Sequence, residues 1–298
     1  MKWEQGIKDF TYYLKIERGL ADNTVQNYRL DILKLTQYLS DFEEPISPLE
    51  IEEEDLQGFI FDISKVINDR SQARLISGLK SFFDYLVFEG YRPQSPMQLI
   101  ESPRLGRKLP DTLSTQEIDL LVDAIDLSHP QGQRNKAIIE TLYGCGLRVS
   151  ELIDLKLSNL YFEEGFIKVF GKGNKERFVP INAYTQKYIQ IYIDQVRIHQ
   201  DVQPEFSDIV FLNRRGAQLT RAMVFTIVKQ LGKAANIQKN ISPHTFRHSY
   251  ATHLLENGAS LRHIQQMLGH ESITTTEVYM HLDKTHLRSV LEKFHPRA

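Results

Sequence analysis

The sequence has little cysteine: Cys145 is the only one among 298 residues. An intramolecular disulfide is therefore impossible, a zinc site built on cysteines is excluded, and a reducing compartment is favoured. The sequence also lacks any apolar run approaching the roughly 20 residues that a membrane-spanning helix requires. Its first residues, MKWEQGIKDF, lack the apolar core of a signal peptide. We therefore expect a cytoplasmic protein with no membrane partner.

Net charge is also nearly absent, at −2 with a pI near 6.6. A nucleic-acid-binding protein is usually basic, so this total counts mildly against that role. The charge is uneven, however, since residues 1–100 hold 11 Lys and Arg against 17 Asp and Glu, and the rest of the chain carries a basic excess. Local clusters of charge, rather than the total, therefore decide the question.

The chain divides into two predicted domains. Residues 1–90 contain four amphipathic patterns and no strand pattern, which predicts a helical bundle in which Asn23 caps the second helix. The stretch 91–114 carries four prolines, and it predicts a linker over 91–108. Residues 109–298 form the second predicted domain.

The second domain is predicted to be mainly helical with one small antiparallel sheet. Ser114 followed by Glu117 predicts a capping box at its first helix. Alternating apolar residues on both sides of GKGN predict a β-hairpin within residues 160–181. The fold class is therefore mainly α, a helical bundle followed by a helical domain that carries a small sheet.

The stretch SPHTFRHSYATHLLENG, residues 242–258, places three histidines and an arginine on one predicted helix that begins at Ser242. His244 and His248 share a helix face, as two zinc ligands would, but the glutamate of an H-E-x-x-H zinc site is missing. The guanidinium of Arg247 would also repel a metal cation. It fits a phosphate better, beside an imidazole that donates a hydrogen bond or moves a proton. A helix whose histidines only pack and hydrogen-bond is the simplest alternative.

Further residues extend this pattern toward an anion site. Arg148 follows two glycines, and Glu151 lies one turn later, where it can hold the guanidinium. Lys172 lies in the hairpin turn, whose sequence is not a phosphate-binding P-loop and does not imply ATP. His270 follows a helix end, and Tyr279 becomes a candidate nucleophile if nearby cations favour its phenolate. Taken singly, these residues are equally consistent with surface ion pairs, a solvated lysine and a packed aromatic.

Five segments together resemble the tyrosine recombinase (phage integrase) family, and within it the Xer branch: GLRVSEL, GKGNKERFVP, SPHTFRHSYATHLLENG, LGHESITTTEVY and HPRA. RGLADNTVQNYRLDI and SQARLISGLKSFFDYL are similar to the Xer core-binding domain, so the resemblance covers essentially the whole chain. It implies a SAM-like DNA core-binding domain and a catalytic domain that form a C-shaped clamp around DNA.

The resemblance implies a set of catalytic residues with Glu151 in support: Arg148, Lys172, His244, Arg247, His270 and Tyr279. The arginines would clamp one DNA phosphate, the histidines would assist, and the lysine would protonate the departing 5′ oxygen. The tyrosine would attack, giving a 3′-phosphotyrosyl link on the way to a Holliday junction. Guanidiniums would supply the charge stabilisation that phosphoryl transfer needs, so neither a metal nor ATP is expected. His248 is expected only to support its helix.

The resemblance further implies double-stranded DNA sites and a tetramer formed with a second related Xer recombinase, with a DNA translocase as a candidate activator. The expected task is chromosome-dimer resolution at cell division. The alternatives are a mobile-element integrase, a catalytically silent DNA-binding protein and a zinc hydrolase. The residues expected to contact DNA are Asn23, Thr24, Asn27, Arg29, Ser71, Arg74, Lys80, Arg104 and Lys108.

The last segment, HLRSVLEKFHPRA, is amphipathic. Its apolar residues are Leu287, Val290, Leu291 and Phe294. They could dock on a neighbouring protomer or cover the core of their own chain, and the sequence leaves both alternatives open.

Overall fold

The computed structural model describes residues 1–42, 46–104, 106, 111–171, 175–269 and 283–297, with side chains in the last range described from residue 287. The chain forms two compact units, Met1–Lys108 and Leu109–Ala298. The described chain is mainly helical with one small sheet, as the sequence predicted. No helix within these ranges combines the length and the hydropathy that crossing a membrane would need.

The described residues of the first unit form four α-helices and a short π-helical segment. The predicted cap at Asn23 is wrong, because the N-cap is Ala21, two residues earlier, and the helix begins at Asp22. The Ala21 carbonyl accepts the first backbone hydrogen bonds, from Thr24 and Val25. Asp22 then occupies the first turn, where the helix dipole favours a negative charge. The elements are α1 (Trp3–Tyr12), the π-helical segment (Tyr13–Glu17), α2 (Asp22–Leu39), α3 (Glu53–Ser64) and α4 (Asp69–Phe88).

The core of the first unit extends into the segment that the prolines predicted as a linker. Met97 and Ile100 are buried against the helices, in a core that also contains Phe10, Phe82 and Phe83. Arg92 is buried as well, and it donates hydrogen bonds of 2.9 Å to the carbonyls of Pro48 and Ile51. Residues up to about 100 therefore contribute to the packing of the first unit.

The described residues of the second unit form a three-stranded antiparallel sheet and a larger number of helices. The predicted capping box of Ser114 and Glu117 is confirmed, and so is the hairpin, in which Val169 pairs with Arg177. The strands are β1 (Leu160–Tyr161), β2 (Phe166–Phe170) and β3 (Glu176–Pro180), in that order in the sheet. The helices are α5 (Thr115–Asp123), α6 (Gly132–Gly144), α7 (Val149–Ile153), α8 (Ala183–Gln195), α9 (Arg221–Ala234), α10 (Pro243–Glu256), α11 (Leu261–Leu268) and α12 (Asp283–Phe294), with 3₁₀ turns at Leu157–Asn159, Arg197–His199 and Pro204–Phe206.

The C-terminal helix packs on its own domain. Leu287, Val290 and Leu291 of α12 are buried in the core of the second unit, and Phe294 packs against that core. Of the two alternatives left open by the sequence, the structure of the single chain shows the internal one. Arg297 follows the helix and forms ion pairs with Glu140 and Asp119 at 2.8 and 2.6 Å.

Candidate active site

The loop between α6 and α7 brings Arg148 into the site. Gly146 has a φ of +58°, and a Cβ at this position would lie 2.6 Å from the ring of Tyr250, so both the conformation and the space require glycine. Arg148 is the N-cap of α7, and its backbone N–H donates to Glu151 Oε2 at 2.8 Å. The sequence correctly placed the arginine at a helix start with the glutamate one turn later.

Glu151 is a buried carboxylate that binds two guanidiniums directly. Its side chain is 1% exposed. Oε1 accepts from Arg148 Nη1 at 2.8 Å and from Arg177 Nη1 at 2.5 Å, and Oε2 accepts from Arg177 Nη2 at 2.8 Å. Burial alone would raise the pKa of Glu151, but the hydrogen bonds and charges of Arg177 and Arg148 outweigh it and hold that pKa below its usual value. The carboxylate is therefore ionised at neutral pH.

Arg247 reaches the same place from α10. Its Nη1 donates to the Gly146 carbonyl at 2.7 Å and lies 3.9 Å from Glu151 Oε2, and its Nη2 donates to the Leu268 carbonyl at 2.5 Å. Burial and the neighbouring charge of Arg148 lower the pKa of Arg247 to about 10. The guanidinium still keeps its proton at neutral pH. We call Arg148, Arg177 and Arg247, gathered around Glu151, the arginine cluster.

The same three arginines hold the C-terminal end of α11. Arg177 Nε donates to the Met267 carbonyl at 3.3 Å, and Arg148 Nη2 donates to the Gly269 carbonyl at 3.2 Å. With the bond from Arg247 to Leu268, three consecutive carbonyls each accept from a different guanidinium. The last carbonyls of a helix lack partners within the helix and carry partial negative charge, so cations there are favourable. The cluster therefore fixes the helix end that directly precedes His270.

The arginine cluster suits an anion. Three guanidiniums share one carboxylate, which leaves positive charge in excess among these four side chains. Arg148 is the most accessible, with 33% of its side chain exposed, whereas Arg177 and Arg247 are 14% and 9% exposed. The planar fork of arginine matches phosphate oxygens. A phosphate that contacts the exposed side of this cluster would meet charge that the protein itself leaves unbalanced.

Of the other predicted catalytic residues, the structure describes His244 but not Lys172, His270 or Tyr279. His244 is exposed in the first turn of α10, three residues before Arg247, and His248 is half-buried on the same helix, as a supporting residue should be. Lys172, His270 and Tyr279 lie outside the described residues. The backbone N–H of Gly171 donates to the Lys175 carbonyl at 2.8 Å, which extends the pairing of β2 with β3.

The predicted DNA-contacting residues all belong to the first unit, Met1–Lys108. Asn23, Asn27 and Arg29 are exposed on α2, Arg104 is exposed, and Thr24, Ser71, Arg74 and Lys80 are half-buried. Lys108 lies outside the described residues. Arg74 Nη1 donates to Asp31 Oδ2 at 2.5 Å, and the Asp31 side chain is fully buried. Arg74 therefore has a structural partner, whatever it contributes to DNA binding.

Arg177 is the site residue that sequence reasoning missed. It lies in GKGNKERFVP, a segment in which the sequence predicts a role for Lys172 alone. Its partner Glu151 is 26 residues away in sequence. The available signal was its place on the strand: Arg177 and Val179 point to the same face of β3, and Val179 is fully buried. A charged residue on the buried face of a strand calls for a buried partner.

The described part of the chain offers little to a metal ion. Within it, no group of three or more His, Cys, Asp and Glu side chains is arranged to hold one. The carboxylate at the centre of the site is engaged by guanidiniums, whose charge opposes a cation.

Comparison with known proteins matches both units to one family. Residues 111–286 match the Phage integrase family, and residues 7–90 match the family described as Phage integrase, N-terminal SAM-like domain. The sequence is 42% identical over 300 residues to Tyrosine recombinase XerD of Oceanobacillus iheyensis, covering 99% of each chain. It is 41% identical over 293 residues to Tyrosine recombinase XerD of Listeria monocytogenes, covering 98% of this chain and 99% of that one.

Solved structures of recombinases are also similar to this chain. XerA recombinase is 29% identical, with a TM-score of 0.51 and full coverage of both chains. XerH site-specific recombinase bound to difH substrate, in a pre-cleavage complex, is 25% identical, with a TM-score of 0.68 over 89% of this chain and 79% of that chain. The similarity to recombinases therefore extends across both units of the fold.

Proposed function

Because this chain belongs to the phage integrase family of tyrosine recombinases, enzymes that cleave and rejoin DNA strands, we propose that it is an Xer-type site-specific recombinase whose nucleophile is Tyr279. The observation that carries the proposal is the arginine cluster. Its arginines reach Glu151 from the start of α7, from β3 and from α10, and its excess positive charge fits one DNA phosphodiester. Phosphoryl transfer needs positioning and charge stabilisation above all, and fixed guanidiniums supply both.

The proposed reaction is a pair of transesterifications. Tyr279 Oη attacks the scissile phosphorus, the bond to the 5′ oxygen breaks, and Lys172 donates a proton to that oxygen. The phenolic proton passes to a neighbouring base, a role that suits His244 or His270. A 3′-phosphotyrosyl link and a 5′ hydroxyl result, and the 5′ hydroxyl of a partner strand then attacks the link to release the tyrosine. Arg148 and Arg247 bind the non-bridging oxygens throughout.

No metal ion or nucleotide is required in this scheme. The phosphodiester energy is kept in the phosphotyrosyl link, so rejoining needs no ATP. Positive charge that a metal would otherwise supply comes from guanidiniums that remain protonated at neutral pH. Cleavage should therefore persist in the presence of EDTA.

The proposed biological task is resolution of chromosome dimers at cell division, through a Holliday junction. Support comes from the similarity to Xer recombinases over the full chain, at about 41% identity to relatives named XerD. The proposed partners are a second, related Xer recombinase that completes a tetramer on two DNA sites, and a DNA translocase that activates it. Deleting the gene from its host should leave chained or filamentous cells, and the Tyr279→Phe variant should fail to restore division.

Covalent trapping tests the chemistry. The protein is incubated with a nicked, radiolabelled duplex carrying an Xer-type recombination site, with EDTA present, and the products are run on a denaturing gel. The nick lets the cleaved fragment diffuse away, so the phosphotyrosyl link accumulates. A slow DNA–protein band is expected for the wild type and not for Tyr279→Phe, which lacks only the nucleophilic oxygen. A normal gel shift without a band from the wild type would contradict the assigned chemistry.

A further inference from the structure

Arg177 lies between two parts of the site and is not among the proposed catalytic residues. Its Nη1 and Nη2 donate to the two oxygens of Glu151 at 2.5 and 2.8 Å, and its Nε donates to the Met267 carbonyl at 3.3 Å. Only 14% of its side chain is exposed. Because each of its three nitrogens already donates to the protein, Arg177 is placed to support the site rather than to bind DNA.

The first group that Arg177 supports is the carboxylate that orients Arg148. Glu151 Oε1 accepts from Arg177 and Arg148 together. Without Arg177, a carboxylate that is 1% exposed would lose two of its charged hydrogen bonds. Such a group is held in one orientation only while its donors remain. The Arg148 guanidinium would then lose its fixed support.

The second supported group is the end of α11. Gly269 has a φ of +65°, and a Cβ on it would lie 2.8 Å from Arg177 Cδ, so this turn packs directly against the stem of the arginine. Arg177 also binds the Met267 carbonyl two residues before Gly269. The next residue in the chain is His270, and Tyr279 follows nine residues later.

We propose that Arg177 is a positioning residue for DNA cleavage, because it fixes the Glu151 carboxylate that orients Arg148 and holds the end of α11 that leads to His270 and Tyr279. This inference rests on the proposed function. Arginine is required at this position, because a lysine ammonium cannot span both carboxylate oxygens and also reach a backbone carbonyl. Arg177→Lys should therefore lose most of what Arg177→Ala loses, although it keeps the charge.

The test is single-turnover trapping on the nicked Xer-type duplex at a series of protein concentrations. This assay separates the rate constant at saturation from the concentration that gives half of it, and both from the final amplitude. Arg177→Ala should lower the rate constant about 100-fold, the loss typical of a reacting group displaced by about 1 Å. The half-saturating concentration should change little. Arg177→Lys should lose at least tenfold, and it also serves if the alanine variant folds poorly.

Two modified substrates locate the defect. A methylphosphonate at the scissile position removes the negative charge of the non-bridging oxygens. If Arg177 acts through the contact of Arg148 with that phosphate, this substrate should shrink the ratio of wild-type to Arg177→Ala rates toward one. A sulfur in place of the departing 5′ oxygen removes the need for a proton from Lys172. This substitution should leave the ratio unchanged, because Arg177 is not assigned to the acid step.

Arg134→Ala is the matched control. Arg134 is also a buried arginine of the second unit, and it donates to the Leu212 carbonyl at 3.0 Å. It lies in the first turn of α6, whereas the loop that carries Arg148 follows the last turn of that helix. Its loss should lower the melting temperature but not the rate constant. If Arg177→Ala reduces only the amplitude or the melting temperature, as Arg134→Ala does, its role is purely structural and the proposal is wrong. If the 5′-sulfur substrate instead brings the ratio of wild-type to Arg177→Ala rates toward one, then Arg177 acts through the proposed proton donor Lys172. That result would also overturn the proposal. No covalent product from the wild type would refute the proposed function itself, and this inference with it.

Discussion

Substituting Arg297 with alanine should destabilise the second unit, and by more at high pH. Arg297 Nη1 donates to Glu140 Oε1 at 2.8 Å, and the carboxylate is fully buried. Its Oε2 accepts no hydrogen bond from the described residues. Burial raises the pKa of Glu140 to about 7, although the charges of Arg297 and Lys136 lower it. Arg297 is therefore the larger of the two charges that keep this pKa from rising further.

The size of the effect follows from proton linkage. One pKa unit corresponds to about 1.4 kcal/mol, and the ordinary pKa of the group is 4.5. A carboxyl group whose pKa is raised by folding loses stability as the pH rises, so the wild type loses about 3 kcal/mol between about pH 4.5 and 7. Losing a hydrogen-bonded guanidinium moves a carboxyl pKa by about 1–3 units, here past 8. The variant then keeps losing stability between pH 7 and 8.

The extra destabilisation from this source is near zero at pH 5 and reaches about 1.4 kcal/mol at pH 8. It adds to a loss that does not depend on pH, from the ion pair with Asp119 and from the contacts of the guanidinium with the rings of Tyr143 and Tyr184. In a unit of this size, 1.4 kcal/mol corresponds to about 4 °C in melting temperature. The gap between wild type and variant should therefore widen by about 4 °C from pH 5 to pH 8.

Calorimetry of both proteins at pH 5, 6, 7 and 8 measures this gap. The chain has a single tryptophan, Trp3, so its fluorescence reports the unfolding of the first unit and identifies the other transition as that of the second. Introducing Glu140→Gln into both proteins removes the titrating group, and the gap between Glu140→Gln and the double variant Glu140→Gln/Arg297→Ala should then not depend on pH. Burial lowers the pKa of the nearby His253 and His295, and the charge of Arg297 further lowers that of His295. The pair of proteins that carry Glu140→Gln includes the same change at His295 and therefore controls for it. An equal gap between wild type and Arg297→Ala at pH 5 and pH 8, or a gap that still widens between the two proteins that carry Glu140→Gln, would refute the reasoning.

Two further predictions concern the tail and the DNA-contacting helices. Deleting residues 286–298 removes three buried apolar side chains, Leu287, Val290 and Leu291, and should cost about 5 kcal/mol or more; an unchanged calorimetric transition of the second unit would contradict the internal packing of the tail. Lys80→Ala should weaken a gel shift and reduce the slope of log affinity against log salt by about 1 if Lys80 binds a phosphate, and an unchanged slope would exclude that contact. Arg74→Ala should lower the stability of the first unit as well, because it leaves the buried Asp31 with only Lys34, at 3.7 Å, as a cationic partner, so Lys80 is the better probe.

Local signals explain what the sequence could predict. The capping box at Ser114 and Glu117, the start of α10 at Ser242, and the pair formed by Arg148 and Glu151 all depend on residues three apart. At this spacing the helix itself brings the groups together, so no knowledge of the tertiary fold is needed. The predicted cap at Asn23 also depends on neighbouring residues, but it is wrong. The adjacent Asp22 lies in the first turn of α2 instead, where the helix dipole favours its negative charge.

Long-range pairing explains what the sequence could not predict. Arg177 meets Glu151 across 26 residues, Arg74 meets Asp31 across 43, and Arg297 meets Glu140 across 157. The sequence predicts that Arg74 contacts DNA and assigns no role to Arg177 or Arg297, because arginine is usually exposed. For Asp31 and Glu140, the acidic partner carried the better signal. Asp31 lies four residues before the buried Leu35 on α2, and Glu140 lies three residues from the buried Ala137 and Tyr143 on α6, so each carboxylate sits where an apolar residue would be expected.

The electrostatics of the arginine cluster explain why a phosphate suits it. Glu151 balances one of three guanidiniums, and the remaining repulsion contributes to the lowered pKa of Arg247, where burial is the larger cause. A divalent cation would add to that repulsion, whereas a phosphodiester brings the single negative charge that relieves it. DNA binding should thus stabilise the protonated form of Arg247, and the protonated guanidinium in turn stabilises the charge that develops on the phosphate oxygens during transfer. Because the three arginines also hold the end of α11, the charge that binds the phosphate is coupled to the position of the segment that leads to the nucleophile.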